Sequence, residues 1–149
     1  MAILDSQERL SNEQAVTATA VSTNTFDSKT ARRLFEGNPL YVCITVTETV
    51  TSAGSSTVTF AFVSDDNASL SSPSTIVASS AIAKANLTAG TKFYLAIPPG
   101  VEPGGPAAER YFGMNYTVAV ANLTAGKFTA YITANNSGFT ALPSSYVAT

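Results

Sequence analysis

Hydrophobic and polar residues alternate along most of this chain. In five segments every second residue is apolar, and the residues between are mostly Thr, Ala or Tyr. The apolar series are Leu40, Val42, Ile44 and Val46; Val58, Phe60 and Phe62; Phe93, Leu95 and Ile97; Phe112, Met114, Tyr116, Val118 and Val120; and Phe128, Ala130 and Ile132. Because successive side chains of a strand point to opposite faces, each series predicts a strand with one apolar face. Weaker patterns predict strands at residues 15–23 and 74–79.

The gaps between these strands contain residues that favour turns. Residues 52–56 predict a short hairpin loop, and residues 65–73 predict a longer polar loop. Pro98-Pro99 ends a strand, because proline cannot donate a hydrogen bond to a sheet. Helix signals are confined to short turns, near residues 11–14, 28–34 and 81–86. The expected fold is all-β, an antiparallel β-sandwich, barrel or jelly roll of about eight short strands.

One short sequence occurs twice. Residues 86–93 (Asn-Leu-Thr-Ala-Gly-Thr-Lys-Phe) resemble residues 122–128 (Asn-Leu-Thr-Ala-Gly-Lys-Phe). A repeat array is one interpretation of such an echo. The favoured interpretation is one turn used twice to start a strand, in which Gly supplies an unusual backbone angle and Leu closes the end of the core.

Composition narrows the classes of function. Charged residues make up 12% of the chain and the net charge is -2, so no basic excess is present to neutralise nucleic-acid phosphates. The chain has no His and a single Cys, which removes the commonest general base, Cys/His zinc sites and a disulfide framework. No apolar run approaches the ~20 residues of a membrane-spanning helix, and the polar start predicts no signal peptide. We expect a protein made in a reducing cytoplasm, without catalysis, cofactor or metal.

Few residues suggest chemistry. The carboxylates are scattered over loops and strand ends, with no pair placed for glycoside hydrolysis. Asp65, Asn67 and Ser69 have the spacing of a calcium loop, but its Gly and its downstream Glu are missing, so an Asx turn is favoured. Cys43 has no base to ionise it and is interpreted as a half-buried filler. The pair Arg32-Arg33 is interpreted as a salt bridge or a partner contact.

Several stretches, in order, resemble the capsid cement proteins of short-tailed bacteriophages, of the type found in a Bordetella phage. The stretches are residues 5–24, Gly37-Asn38-Pro39-Leu40-Tyr41-Val42, residues 64–73, Pro98-Pro99-Gly100, residues 110–118 and Thr124-Ala125-Gly126-Lys127. Together they extend over roughly residues 4–134. The loop at 101–109 is longer than the family needs, and the tail from Asn135 to Thr149 runs past its usual end.

The resemblance implies a jelly-roll-like fold, no catalysis, and binding to the outside of an assembled capsid lattice in the virion. The implied partners are the major capsid protein and further copies of this chain, with a homodimer favoured over a trimer, and neither nucleic acid nor membrane. We divide the chain into an N-terminal arm (1–14) laid over a neighbouring subunit, a β domain (15–134) and a C-terminal tail (135–149). Candidate capsid contacts are Ile3, Leu4, Leu10, Arg32, Arg33, Tyr41, Tyr111 and Tyr131.

Other functions fit the same fold. A carbohydrate- or receptor-binding module of a phage virion is supported by four tyrosines that alternate away from the predicted core, namely Tyr41, Tyr94, Tyr111 and Tyr131. An enzyme on a jelly-roll scaffold would lack the His ligands of the usual metal site. A pilin or surface-layer subunit would require an export signal, which the sequence start does not resemble.

Overall fold

The computed structural model describes residues 8–29, 39–98 and 109–134. These residues form ten strands in two antiparallel sheets. The strands are β1 (Arg9–Ala15), β2 (Ala20–Val21), β3 (Phe26–Asp27), β4 (Leu40–Thr51), β5 (Thr57–Asp65), β6 (Ser74–Ala78), β7 (Ile82–Ala83), β8 (Lys92–Ile97), β9 (Tyr111–Ala119) and β10 (Ala125–Thr133). A 3-10 turn at Lys84–Asn86 lies within the segment predicted to form a helical turn at 81–86, whereas the helical turn predicted at 11–14 was wrong, because these residues belong to β1. Within the described ranges, no helix is long and apolar enough to cross a membrane.

The strand order is that of a jelly roll. Sheet A has the order β1-β10-β4-β8, and sheet B has the order β2-β9-β5-β6. β3 continues the β2 edge of sheet B along β9, and β7 continues the β6 edge along β5. Counted as single interrupted edges, these pairs leave eight strands, which confirms the predicted all-β antiparallel class.

The core lies between the two sheets and uses the predicted apolar series. Phe60, Tyr116 and Phe128 meet at its centre, with ring centroids 5.2 to 5.9 Å apart. The Tyr116 ring is fully buried, and its hydroxyl lies 2.7 Å from the Oγ of Ser11 on β1. This hydrogen bond gives a buried phenol the partner that burial of a polar group requires.

The N-terminal prediction was wrong in its boundaries. β1 pairs with β10, and Leu10 is fully buried in the core, so residues 9–14 belong to the β domain and not to an arm. Two register shifts in this pair and a left-handed φ of 47° at Glu13 interrupt the alternation that would have revealed the strand. The segment predicted as one strand at 15–23 contributes the end of β1 and the two residues of β2. Residues 1–7 and the tail 135–149 lie outside the described residues.

The two ends of the sandwich differ in charge. One end, here called the border end, contains Glu8, Lys29, Pro39, Pro98, Glu109 and Ala134. The opposite end, here called the hydroxyl end, consists of four loops: residues 16–19, 52–56, 84–91 and 120–124. Lys84 is the single charged residue in these four described loops, whereas Ser and Thr occur in all of them.

Both copies of the repeated short sequence begin at the hydroxyl end. Leu87 and Leu123 are 0% and 4% exposed and close this end of the core, as predicted. Gly90 has a φ of 91°, a backbone conformation that glycine adopts without the steric cost of a side chain. Gly126, the equivalent residue of the second copy, lies within β10 with a φ of 153°. The two copies therefore share the buried Leu but not the turn, and the prediction of one turn used twice was wrong for the backbone.

Candidate interaction site

The structure separates the residues predicted to contact a capsid. Ile3, Leu4, Arg32 and Arg33 lie outside the described residues. Leu10 was a wrong prediction, because its side chain is fully buried in the core and has no surface to offer a partner. Tyr41 and Tyr131 lie on the outer face of sheet A, whereas Tyr111 lies on the outer face of sheet B. These faces are on opposite sides of the sandwich, so the tyrosines do not form one site.

A row of four side chains crosses the outer face of sheet A. Register places Arg9, Tyr131, Cys43 and Tyr94 side by side on β1, β10, β4 and β8. Burial, together with hydrogen bonding to Cys43, raises the pKa of Tyr94 and of Tyr131 above the usual tyrosine value. Both phenols therefore stay protonated at neutral pH. Cys43 is fully buried, not half-buried as predicted, and Tyr131 is only 7% exposed.

Tyr111 belongs to a small second core on sheet B. It packs with Val21 against Ala61, Val63 and Leu70, so the predicted polar loop at 65–73 also covers this face with an apolar side chain. Gly113 permits this cover, because a Cβ at that position would lie 2.4 Å from Leu70 Cδ1. Sequence alternation could not reveal this cluster, since Leu70 lies in a loop.

An ion pair flanks Tyr111 at the border end. The Arg110 guanidinium donates to Asp27 Oδ1 at 2.8 Å and to Asp27 Oδ2 at 2.9 Å, and it lies 4.9 Å from the Tyr111 ring centroid. The hydrogen bond from Arg110 holds the pKa of Asp27 well below its usual value. The Asp27 carboxylate is therefore ionised, and both of its oxygens are engaged by Arg110. It is unsuited to act as a general acid or base near neutral pH.

The predicted Asx turn is present at Asp65. Its Oδ1 accepts a hydrogen bond from the Asn67 backbone N–H at 3.1 Å, and its Oδ2 accepts one from the Ser72 N–H at 2.8 Å. Asn67 Oδ1 in turn accepts from the Ser69 N–H at 3.0 Å. Burial raises the pKa of Asp65, but these backbone donors outweigh it, so the pKa lies below the usual value.

The fold brings the carboxylate of Glu109 close to Asp65 and Asp66, a contact that the spacing of residues along the chain did not predict. Asp65, Asp66 and Glu109 offer oxygen atoms that all lie within 4.8 Å of one another. The hydrogen bond to Asp65 and its negative charge raise the pKa of Asp66, so protonation of Asp66 relieves the repulsion. Three carboxylates are suitable ligands for a hard cation, but exposed acidic groups commonly gather in this way without one.

The hydroxyl end presents an apolar residue that the sequence assigned to the core. β9 ends at Ala119, and the next residue, Val120, has a left-handed φ of 76°. The side chain is thereby turned away from the core and is 78% exposed. The alternation predicted the opposite orientation, because period two holds only while the backbone remains extended.

The described residues form a jelly-roll sandwich in which most of the ionisable side chains discussed above form hydrogen bonds or ion pairs within the chain. A family model, Bbp16, matches residues 10–132, which is nearly the whole described sandwich. The chain therefore belongs to the Bbp16 family, whose name indicates a Bordetella phage protein. A comparison with curated proteins found no match.

Proposed function

We propose that this protein is a capsid cement protein, which binds the exterior of a mature phage head and bridges neighbouring major capsid subunits. The observation that carries the proposal is the Bbp16 match over residues 10–132, because it agrees with the Bordetella-phage resemblance across the same strands. The two-sheet fold around one buried core supports the proposal, since a binding protein without catalysis requires only a stable scaffold for its contact surface.

The mechanism is stabilisation by binding. A ligand that binds the mature lattice, but not competing states, stabilises that lattice by RT ln(1 + [L]/Kd) at each site. At a free concentration of 100 Kd this is about 2.7 kcal/mol per site. A homodimer, favoured over a trimer, would gain from the high effective concentration of its second half once the first is bound.

The proposed arm is shorter than the sequence suggested. β1 begins at Arg9, so removal of residues 1–7 leaves every described strand intact. A chain starting at residue 8 should fold as the full chain does and bind heads less tightly. A chain starting at residue 13 also loses Leu10 from the core and should be unstable, so it cannot serve as the test. Unchanged head binding by the first truncation would exclude the arm.

The test of the function is sedimentation with phage heads. Heads prepared without this protein, in the precursor and the expanded state, are mixed with the purified chain, and the bound copies are counted. We expect saturable binding to expanded heads and at least tenfold weaker binding to precursors, with greater heat resistance of the loaded heads. Equal binding to both states, or no gain in heat resistance, would contradict the mechanism.

Carbohydrate binding has weaker support. Sugar sites stack ligands on exposed aromatic rings, and Tyr131 is only 7% exposed while Tyr111 is packed into the second core. Tyr41 is half-buried near the start of the inner strand β4, on the same face as Tyr131. Specific binding on a glycan array, in the absence of head binding, would favour this second function.

A further inference from the structure

Arg9 is a half-buried cation without a partner in the part of the chain that the structure describes. Its Nε is buried and has no hydrogen-bond partner there. The ion pairs found among the described residues do not include Arg9. Its neighbour Glu8 lines the groove at the border end with Leu40 and Ile132, on the core side of sheet A. A guanidinium has five N–H donors, and a buried donor without an acceptor is unfavourable, so Arg9 does not stabilise the isolated protein.

Arg9 lies at the β1 end of the row on the outer face of sheet A. It is directly opposite Tyr131, and Cys43 and Tyr94 continue the row. Burial raises the pKa of both phenols, so neither carries a negative charge at neutral pH. The two tyrosines therefore do not balance the positive charge of Arg9.

The acidic residues on the strands of sheet A are associated with a different cation. Glu48 Oε2 lies 2.8 Å from Lys127 Nζ, near the hydroxyl end of the sheet. The contact with Glu48 and the charge of Glu13 raise the pKa of Lys127. Lys92, the remaining charged residue on these strands, is itself a cation. Within the described strands of sheet A, no carboxylate is thus paired with Arg9.

A carboxylate of another protein fits Arg9 better than other anions do. The chain has 8 Lys and Arg residues against 10 Asp and Glu, so it has no basic excess with which to follow nucleic-acid phosphates. A second copy is a poorer source of the carboxylate. The Asn24 N–H donates to the Leu10 carbonyl at 3.0 Å, so residue 24 covers the outer edge of β1. Two copies therefore cannot pair along β1 and bring Glu13 of one to Arg9 of the other.

We propose that Arg9 binds a carboxylate on the outer surface of the capsid shell, and that the β1 side of the outer face of sheet A contacts the shell. This inference rests on the proposed function and names one of its contacts. Carboxylates are the acceptors that guanidinium groups bind most strongly in proteins, as Arg110 and Asp27 illustrate at 2.8 and 2.9 Å. Because the Nε of Arg9 is already buried, part of the desolvation that binding requires has taken place in the free protein.

The test compares two variants that change the net charge equally. Arg9→Gln removes the unpaired cation without removing an ion pair of the described residues, so we expect an unchanged thermal midpoint and at least about tenfold weaker binding to expanded heads. Lys127→Gln is the matched control, because Lys127 lies on the same face but is paired with Glu48. It should alter head binding by no more than about twofold. Arg9→Lys keeps the charge but loses the planar fork, so its binding should be intermediate.

The outcomes distinguish this inference from the proposed function. If the wild-type chain binds heads and Arg9→Gln binds equally well, the contact is wrong and the cement function stands. If both charge variants weaken binding equally, net charge and not Arg9 is responsible, and the contact is again wrong. If the wild-type chain does not bind heads, both proposals are wrong.

Two further measurements complete the test. Self-association that Arg9→Gln abolishes, measured by analytical ultracentrifugation, would identify a second copy as the source of the carboxylate and overturn the choice of the shell. Head binding by the wild-type chain should also weaken as the NaCl concentration rises, since salt screens charges at a surface. Binding that does not respond to salt would exclude the carboxylate contact even if Arg9→Gln failed to fold.

Discussion

Replacing Leu10 by Ala tests whether β1 is part of the folded domain. The Leu10 side chain is fully buried in the core, on a strand that the sequence had assigned to a detachable arm. The substitution removes roughly three carbon atoms from the core, which corresponds to about 2.4 kcal/mol at ~0.8 kcal/mol per buried CH₂. The unfilled cavity adds to this, so we expect a loss of about 3 to 4 kcal/mol in the free energy of unfolding.

Urea titration followed by circular dichroism measures this loss, and a thermal scan should show a midpoint lower by roughly 10 °C. Asn12→Ala is the matched control, since Asn12 is exposed on the same strand. It should change the free energy of unfolding by no more than about 0.5 kcal/mol. If Leu10→Ala were equally mild, β1 would be dispensable and the reasoning that places residues 9–14 in the domain would be refuted.

Three further predictions concern other parts of the sandwich. Gly113→Ala should lower the free energy of unfolding in urea titrations by about 1 to 3 kcal/mol, because the new Cβ would lie 2.4 Å from Leu70 Cδ1. An unchanged free energy would contradict the close packing of the 65–73 loop over Gly113. Asp27 has a pKa lowered from 3.8, so its stabilisation is complete above about pH 5 and is lost as pH falls through the lower folded pKa. Asp27→Asn should therefore destabilise the protein at about pH 6 more than at about pH 3, and equal effects at both pH values would argue against the ion pair. Ser11→Ala should lower the free energy of unfolding by about 1 to 3 kcal/mol, because the buried Tyr116 hydroxyl loses its hydrogen-bond partner. Adding Tyr116→Phe should recover part of this loss, since the unpaired hydroxyl is then removed. Losses that simply add in the double variant would count against the hydrogen bond.

Alternation predicted the long strands well because their side chains obey period two over several residues. The series at Leu40 and Phe128 face the core as expected, and the tyrosines between them face outward. The method failed where the backbone leaves the extended conformation, at Glu13 within β1 and at Val120 beyond β9. Both have positive φ without being Gly, so no residue type in the sequence announced the change.

Features of the site that depend on tertiary structure also could not be predicted from the sequence. The Asx turn at Asp65 is local, and its residue types predicted it. The approach of Glu109 to Asp65 and the packing of Leu70 over Gly113 join segments far apart in the chain. Such contacts follow from the sheet order, which pattern analysis does not supply.

The interrupted edges of sheet B have a consequence for how copies of this chain can meet. β2 and β3 contribute two residues each, and β7 contributes two beyond β6. Among the residues that the structure describes, neither edge therefore offers a long continuous row of backbone donors and acceptors. Long exposed edges recruit strands from other molecules and lead to open-ended stacking. Neighbouring copies of this chain can therefore approach one another without this sheet extending from one molecule into the next.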